Sequence, residues 1–97
     1  GMTVSPGFID PHVHLIFAGT REDELEMMIK GYSYLEVKKR GGGMNRTVML
    51  TREASTEYLI KKTTKILDNM LIHGTTTIEA KSGYEMTFEG EKRQLEI

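Results

Sequence analysis

The chain has 97 residues, 38% of them hydrophobic and 28% charged, a composition unlike that of a membrane protein or a disordered segment. Thirteen Lys and Arg against fourteen Asp and Glu give a net charge of −1, which argues against nucleic acid or a membrane as the main partner. The lack of cysteine excludes disulfides and thiolate metal sites, and we expect a reducing, cytoplasmic location. We interpret Gly1, before Met2, as a remnant of tag removal.

The first predicted element is a strand from Phe8 to Leu15. Alternate side chains of a strand share a face, so His12 and His14 are predicted to converge on one point. Two imidazoles at this spacing can bind one divalent metal ion. A bare His-x-His pair is more often two unrelated histidines, so the pattern alone leaves both interpretations open. Pro11 has no N–H and must lie where the sheet needs no donor.

Helices are predicted to fill the middle of the chain. The first covers residues 20–32, with a capping box between Thr20 and Asp23. Its predicted buried face consists of Leu25, Met28, Ile29 and Tyr32. A short second helix follows the capping box of Ser33 and Glu36 and ends before Gly41. The apolar segment of residues 44–50 is predicted to be extended.

The longest predicted helix covers residues 56–73, between Ser55 as N-cap and Gly74. Its predicted buried stripe comprises Leu59, Thr63, Ile66, Leu67, Met70 and Leu71. A β-branched strand over residues 75–80 follows, and Thr87 is predicted to cap a last helix. Strands that alternate with helices indicate an α/β fold with a parallel sheet. Two such strands do not close a core, so we expect part of a larger α/β domain.

The segment Pro6-Gly7-Phe8-Ile9-Asp10-Pro11-His12-Val13-His14-Leu15 resembles the first barrel strand of the amidohydrolase superfamily, which supplies two metal ligands. Further motifs follow in order: Phe17-Ala18-Gly19-Thr20-Arg21-Glu22, Tyr34-Leu35-Glu36, Gly41-Gly42-Gly43, Thr51-Arg52 and Lys81-Ser82-Gly83-Tyr84. Together they resemble the imidazolonepropionase family, the ring-opening hydrolases of histidine degradation. The resemblance covers nearly the whole chain, from Val4 to the C-terminus.

The resemblance implies a fold, a reaction and a cofactor. The fold is a partial TIM-type β/α barrel of about the first two βα units, so residues 1–97 are expected to be a fragment of a metal-dependent amidohydrolase barrel domain. The reaction is hydrolysis of the cyclic amide of 4-imidazolone-5-propanoate to N-formimidoyl-L-glutamate. The full-length family uses one metal ion, zinc or iron.

The resemblance also implies residue roles. His12 and His14 match the metal-binding pair, and Arg21 matches the arginine that holds the substrate's propionate. Tyr84 and Tyr34 match tyrosines that contact the substrate or lie near it. Without the resemblance, all three substrate residues would be interpreted as ordinary solvated or packed side chains. No catalytic residue is expected within this chain, because the family takes its remaining site residues from later strands.

Two alternatives stay open. One is a non-catalytic, truncated amidohydrolase-like fragment that folds as an oligomer. The other is a different cyclic-amide amidohydrolase, against which Arg21 and the loop of Ser82, Gly83 and Tyr84 argue. The predicted partners are a small-molecule substrate in the full-length enzyme and further copies of the chain, because a parallel strand pair leaves edges and one face bare. The 97-residue chain alone is expected to be inactive.

Overall fold

The computed structural model describes all 97 residues, which form two strands and five helices. In chain order these are β1 (Phe8–Val13), α1 (Glu22–Ile29), α2 (Tyr34–Lys39), α3 (Met44–Glu53), α4 (Thr56–Ile72), β2 (Thr75–Ala80) and α5 (Phe88–Glu96). The α/β class is therefore confirmed, while the TIM-type barrel stays a prediction. None of the five helices combines the length and apolar character needed to cross a membrane.

The two strands pair in parallel and form a two-stranded sheet. The pairing register shifts twice, and the second shift lies between Asp10 and Val13. Pro11 falls inside this irregular stretch, as its missing N–H requires. Because the strands are parallel, their carboxyl ends lie side by side: Val13 pairs with Ala80, and the Lys81 N–H donates to the Val13 carbonyl at 2.8 Å.

Side-chain caps begin three of the five helices at the predicted residues. Ser33 and Glu36 form the reciprocal capping box of α2. The hydroxyls of Ser55 and Thr87 each accept the backbone N–H three residues on, at the starts of α4 and α5. After α4 the chain turns into β2 through Gly74, whose φ of 97° is readily available only to glycine.

The first helix differs from its prediction in its start and in its buried side. The predicted capping box between Thr20 and Asp23 does not form, because α1 begins after Arg21 and Asp23 pairs with Arg46 at 2.6 Å. The residue that α1 buries is Glu24. Three of the side chains predicted to be buried are exposed: Leu25, Met28 and Ile29. Their exposure follows from the position of α1, which contacts α2 rather than the sheet.

The prediction that residues 44–50 are extended is wrong, since these residues begin α3. Gly43 occupies the N-cap position with a φ of 80°, and its N–H donates to the buried Glu24 carboxylate at 2.8 Å. The buried side of α3 includes Thr47 and Thr51, four residues apart as a helix requires. The prediction rested on the apolar character of the segment, and a short apolar run does not by itself distinguish a strand from a helix.

The hydrophobic core is small and lies between α4 and the β1–α1 loop, residues 14–21. Its members are Leu15, Ile16, Ala18 and Leu59. Partly buried apolar side chains surround them: Val13, Leu50, Ala54, Ile66, Met70, Ile78 and Ile97. The radius of gyration is 16.2 Å, against about 12.5 Å for a compact chain of this length. The fold is therefore open and leaves much apolar surface exposed.

The long helix α4 buries only part of its predicted stripe. Leu59 and Thr63 are buried, whereas Leu67 and Leu71 are exposed. Leu67 and Leu71 have no partner because the chain provides a single sheet, which α4 contacts through β2. The pattern of apolar residues thus predicted the helix correctly but overestimated the number of its side chains that are buried.

We expect Leu59→Ala to lower the free energy of unfolding by about 2–5 kcal/mol, because it empties a fully buried position. Urea unfolding followed by circular dichroism measures the change. Leu71→Ala, the same substitution on the exposed part of α4, is the control and should change stability by at most about 0.5 kcal/mol. Equal effects of the two substitutions would contradict the position of the core.

Candidate metal and substrate site

The residues predicted to carry chemistry gather at the carboxyl ends of the two strands. His12 is an exposed residue of β1, and the half-buried His14 follows directly after the strand. The β2–α5 loop, residues 81–87, leaves the neighbouring strand end and brings Tyr84 toward His14. In parallel sheets this edge is where ligands commonly bind.

The imidazoles of His12 and His14 meet at their Nε2 atoms, which are 3.3 Å apart. The ring centroids are 5.2 Å apart, with an interplanar angle of 65°. Two nitrogens that each lie about 2.0–2.1 Å from a tetrahedral zinc ion are separated by about 3.3–3.4 Å. The pair therefore has the spacing of two ligands to one metal ion. The same distance also suits a hydrogen bond between one protonated and one unprotonated ring nitrogen.

The rest of a coordination sphere does not come from this chain. It has no group of three or more His, Cys, Asp or Glu side chains arranged to hold a metal ion. The Nδ1 atom of His14 is buried and has no hydrogen-bond partner, although metal-binding histidines usually donate this second nitrogen to a neighbour. His12 and His14 thus fit a metal ion as two ligands of an incomplete set.

The acidic residues near the imidazoles have structural partners. The Asp10 carboxylate accepts the backbone N–H of His12 at 3.1 Å, which shapes the irregular end of β1. Glu79 forms an ion pair with Lys81, and this hydrogen bond and its charge hold the pKa of the Glu79 carboxyl below its usual value. Because Lys81 compensates the charge of Glu79 and Asp10 accepts a backbone N–H, the histidine pair is the strongest metal-binding feature at this edge.

A pocket of about 150 Å³ has Tyr84, the ring neighbour of His14, as one of its lining residues. It lies between the β1–α1 loop, α3 and the β2–α5 loop, and its lining residues are Phe17, Gly19, Thr20, Arg21, Thr47 and Tyr84. The Tyr84 ring connects the pocket with the histidines through edge contacts: its centroid is 5.7 Å from that of His14 and 6.2 Å from that of Phe17. A ligand in this pocket would therefore lie close to a metal ion on the histidines.

The wall of the pocket carries positive charge. The Arg21 side chain forms no salt bridge within the chain, so its guanidinium is free to bind an anion. Beneath the wall, the Lys62 ammonium lies 3.6 Å from the Phe17 ring centroid and donates to the Gly19 carbonyl at 2.8 Å. Burial lowers the pKa of Lys62, and the negative charge of Glu22 partly offsets this effect.

Four of the five predicted site residues come together, and Tyr34 does not join them. Tyr34 is the first residue of α2, is 57% exposed and lies beside Gly43, outside the pocket. Four lining residues were not predicted as site residues: Phe17, Gly19 and Thr20, which stand in the quoted motif of residues 17–22, and Thr47, which stands in none of the motifs. Phe17 had a usable signal, since it lies three residues after His14 in the same loop. Thr47 had none, because its segment was predicted to be extended.

The chain is similar to curated imidazolonepropionases along its whole length. It is 53% identical to the enzyme of Geobacillus thermodenitrificans, 52% to that of Streptococcus gordonii and 50% to that of Caldanaerobacter subterraneus subsp. tengcongensis, each over 97 residues. The chain spans 23% of the length of each relative. No family model matches it. The resemblance inferred from the motifs is thus confirmed, and the chain is homologous to one segment of the imidazolonepropionases.

We expect zinc binding by the monomeric chain to be weak or absent, because two imidazoles leave at least two coordination positions to water or to a neighbouring chain. Isothermal titration with zinc measures this binding, which His12→Ala combined with His14→Ala should abolish. His73→Ala is the matched control, since His73 ends α4 with its Nδ1 beside the Asn69 carbonyl at 2.7 Å. Tight binding that survives the double substitution would place the metal site elsewhere.

Proposed function

We propose that this chain, a relative of one segment of the imidazolonepropionases, carries the part of such an enzyme that holds the metal ion and the substrate's carboxylate. The reaction is the hydrolysis of the cyclic amide of 4-imidazolone-5-propanoate to N-formimidoyl-L-glutamate. The observation that carries the proposal is that Tyr84 contacts the ring of His14, the partner of His12, and also lines the pocket that contains Arg21.

His12 and His14 are the residues that hold the metal ion, zinc or iron, through their Nε2 atoms. When bound, such an ion would polarise a carbonyl group and lower the pKa of water, which provides a nucleophile at neutral pH. The contribution of this chain is to direct two ring nitrogens toward one point. The 3.3 Å separation of the two Nε2 atoms supports this role.

Arg21 binds the carboxylate of the substrate, because a guanidinium group pairs a carboxylate with two parallel hydrogen bonds. Tyr84 and Phe17 provide aromatic surfaces for the planar imidazolone ring between the guanidinium and the histidines. A substrate held in this direction presents its ring, rather than its carboxylate, to the metal ion. Tyr34 stays a predicted neighbour of the substrate, although it lies outside the pocket.

The remaining parts of the proposal concern the whole enzyme. We assign the chain to the first βα units of a TIM-type barrel domain, whose other strands supply the missing ligands and the acid–base group. This assignment agrees with the two parallel strands and with the open, half-covered core. The cytoplasmic location remains a prediction.

A second candidate function is that of a non-catalytic chain that associates with copies of itself. The observation in its favour is the exposure of Phe8 and Ile9, at 69% and 70%, beside strand edges that have no partner. In that assembly the apolar residues of β1 lie at the interface between copies. The histidine pair is then structural, or shares a metal ion between two copies.

Arg21→Ala, introduced into a longer homologue that carries these residues, is expected to raise KM and leave the metal content unchanged. Loss of a desolvated charged pair costs about 2–5 kcal/mol, so kcat/KM should fall by at least about 30-fold. Steady-state kinetics and metal analysis provide the two readouts. Arg40→Ala serves as the control, because Arg40 stacks on Tyr32 and does not line the pocket. An unchanged kcat/KM would remove Arg21 from the site.

The 97-residue chain by itself is expected to show no measurable ring-opening activity with zinc or iron added, because it provides two metal ligands and no group of three. The assay follows the loss of imidazolone absorbance. A relative of full length, assayed under the same conditions, shows that the substrate and metal are active. Turnover by the pure 97-residue chain would contradict this expectation.

Self-association is expected to give a dimer or a larger symmetric assembly. Multi-angle light scattering measures the mass in solution. Ile9→Lys, which places a charge at the exposed end of β1, should shift the chain toward monomer. Leu71→Lys, on the exposed side of α4, tests whether any apolar-to-charged change has this effect. A monodisperse monomer with a cooperative thermal transition would contradict the second candidate function.

A further inference from the structure

The β2–α5 loop holds two of its residues, Tyr84 and Met86, in a backbone conformation that non-glycine residues avoid. Tyr84 has a φ of 70° and Met86 a φ of 55°, both in the left-handed region. Such backbone strain costs on the order of 1–3 kcal/mol per residue and persists only where surrounding contacts enforce it. Tyr84 is also the residue that joins the pocket to the histidines, so the contacts that hold this loop control the shape of the site.

Helix α5 supplies several of those contacts from one side. The Glu91 carboxylate accepts the backbone N–H groups of Glu85 and Met86 at 3.0 and 2.7 Å. Arg93 pairs with the buried Glu85 carboxylate at 2.5 Å. Gln94 accepts the Gly83 N–H at 2.8 Å, directly before Tyr84. The loop is therefore bound to α5 by three hydrogen bonds from its backbone and by one ion pair.

Gln94 differs from Glu91 and Arg93 because it also contacts the β1–α1 loop. Its side chain is 3% exposed, and its Nε2 donates to the Ile16 carbonyl in the β1–α1 loop at 3.2 Å. The two bonds fix the orientation of the amide, since only its oxygen can accept from Gly83 and only its nitrogen can donate to Ile16. One buried side chain thus connects the loop after β1 with the loop after β2.

The Gly83 backbone in turn lies directly against the ring of His14. A Cβ atom at Gly83 would be 2.7 Å from the His14 Nδ1 atom, so no larger residue fits there without moving the imidazole. The next ring atom is Cε1, at 3.0 Å, which is bonded to the Nε2 atom that faces His12. A shift of Gly83 would therefore alter the direction in which the Nε2 atom points.

We propose that Gln94 is a positioning residue, which presses Gly83 against His14 and holds Tyr84 beside it, so that the metal-facing nitrogen and the substrate pocket keep one relative arrangement. Gln94 touches neither the metal ion nor the substrate and acts through Gly83. The inference rests on the proposed function for its chemical consequence. The contacts of Gln94 with Gly83 and Ile16 are made in the metal-free chain.

The test compares Gln94→Met with Lys92→Met in the 97-residue chain. Both introduce the same apolar side chain into α5, but Lys92 is exposed and pairs only with Glu96, at 3.6 Å. The readouts are the NMR signals of the His14 and Tyr84 rings in the metal-free chain and the zinc affinity by isothermal titration. Thermal unfolding records stability separately, because a merely structural role would lower the melting temperature without moving the ring signals of the folded chain.

Gln94→Met is expected to shift the ring signals of His14 and Tyr84 and to weaken zinc binding by roughly 10-fold, in the range found for residues that support metal ligands. Lys92→Met is expected to leave both readouts at their wild-type values. A folded Gln94→Met chain with unshifted ring signals and unchanged zinc affinity would overturn the proposal.

Gly83→Ala tests the contact between Gly83 and His14 directly, and it provides the test of the proposal if Gln94→Met does not fold. Its methyl group must displace the imidazole, so we expect a His14 shift and the same loss of zinc affinity. Unchanged His14 signals in Gly83→Ala would overturn the proposal. Ring signals that respond in both variants would support the positioning role even if the wild-type chain binds no zinc, whereas the proposed function is tested separately by Arg21→Ala in the longer homologue.

Discussion

The parallel pairing of β1 with β2 is the constraint on which the site depends. Parallel strands bring their carboxyl ends to one edge, so the histidines at the end of the first strand meet the loop that leaves the second. An antiparallel pair would place Tyr84 at the opposite edge from His14. Arg21 joins them because it ends the loop that continues from β1. The site is thus a direct product of strand direction, built from two segments distant in sequence.

Buried polar groups, more than apolar packing, give this edge its shape. Few apolar side chains are fully buried, whereas Glu24, Thr51, Glu85 and Gln94 are buried and each bonds to the backbone of another segment or to a charged partner. An unmade hydrogen bond at a buried group costs about 1–3 kcal/mol, so each contact discriminates strongly against other loop conformations. A small core can therefore coexist with a defined site.

Local patterns in the sequence predicted the elements whose determinants are local. The caps at Ser33, Ser55 and Thr87, both strands and the convergence of the two imidazoles all follow from spacings of two to four residues. The start of α1 and the existence of α3 did not follow, since one depends on a pairing with Arg46 and the other on a cap from Glu24. The bond from Gln94 to Ile16 joins residues 78 positions apart, and no local pattern indicates such a contact.

The long crossover between β1 and β2 separates the histidines from Tyr84 in sequence, and therefore also in the time at which they are synthesised. The ribosome must translate residues 14–74 between β1 and β2, which takes about 3–12 s at 5–20 residues per second. The histidine pair needs only an extended strand and can form early in the nascent chain. The pocket cannot exist until Tyr84 emerges and α5 fixes its loop. During synthesis, the two histidines therefore emerge before the pocket can form, and β1 has no partner strand until β2 follows.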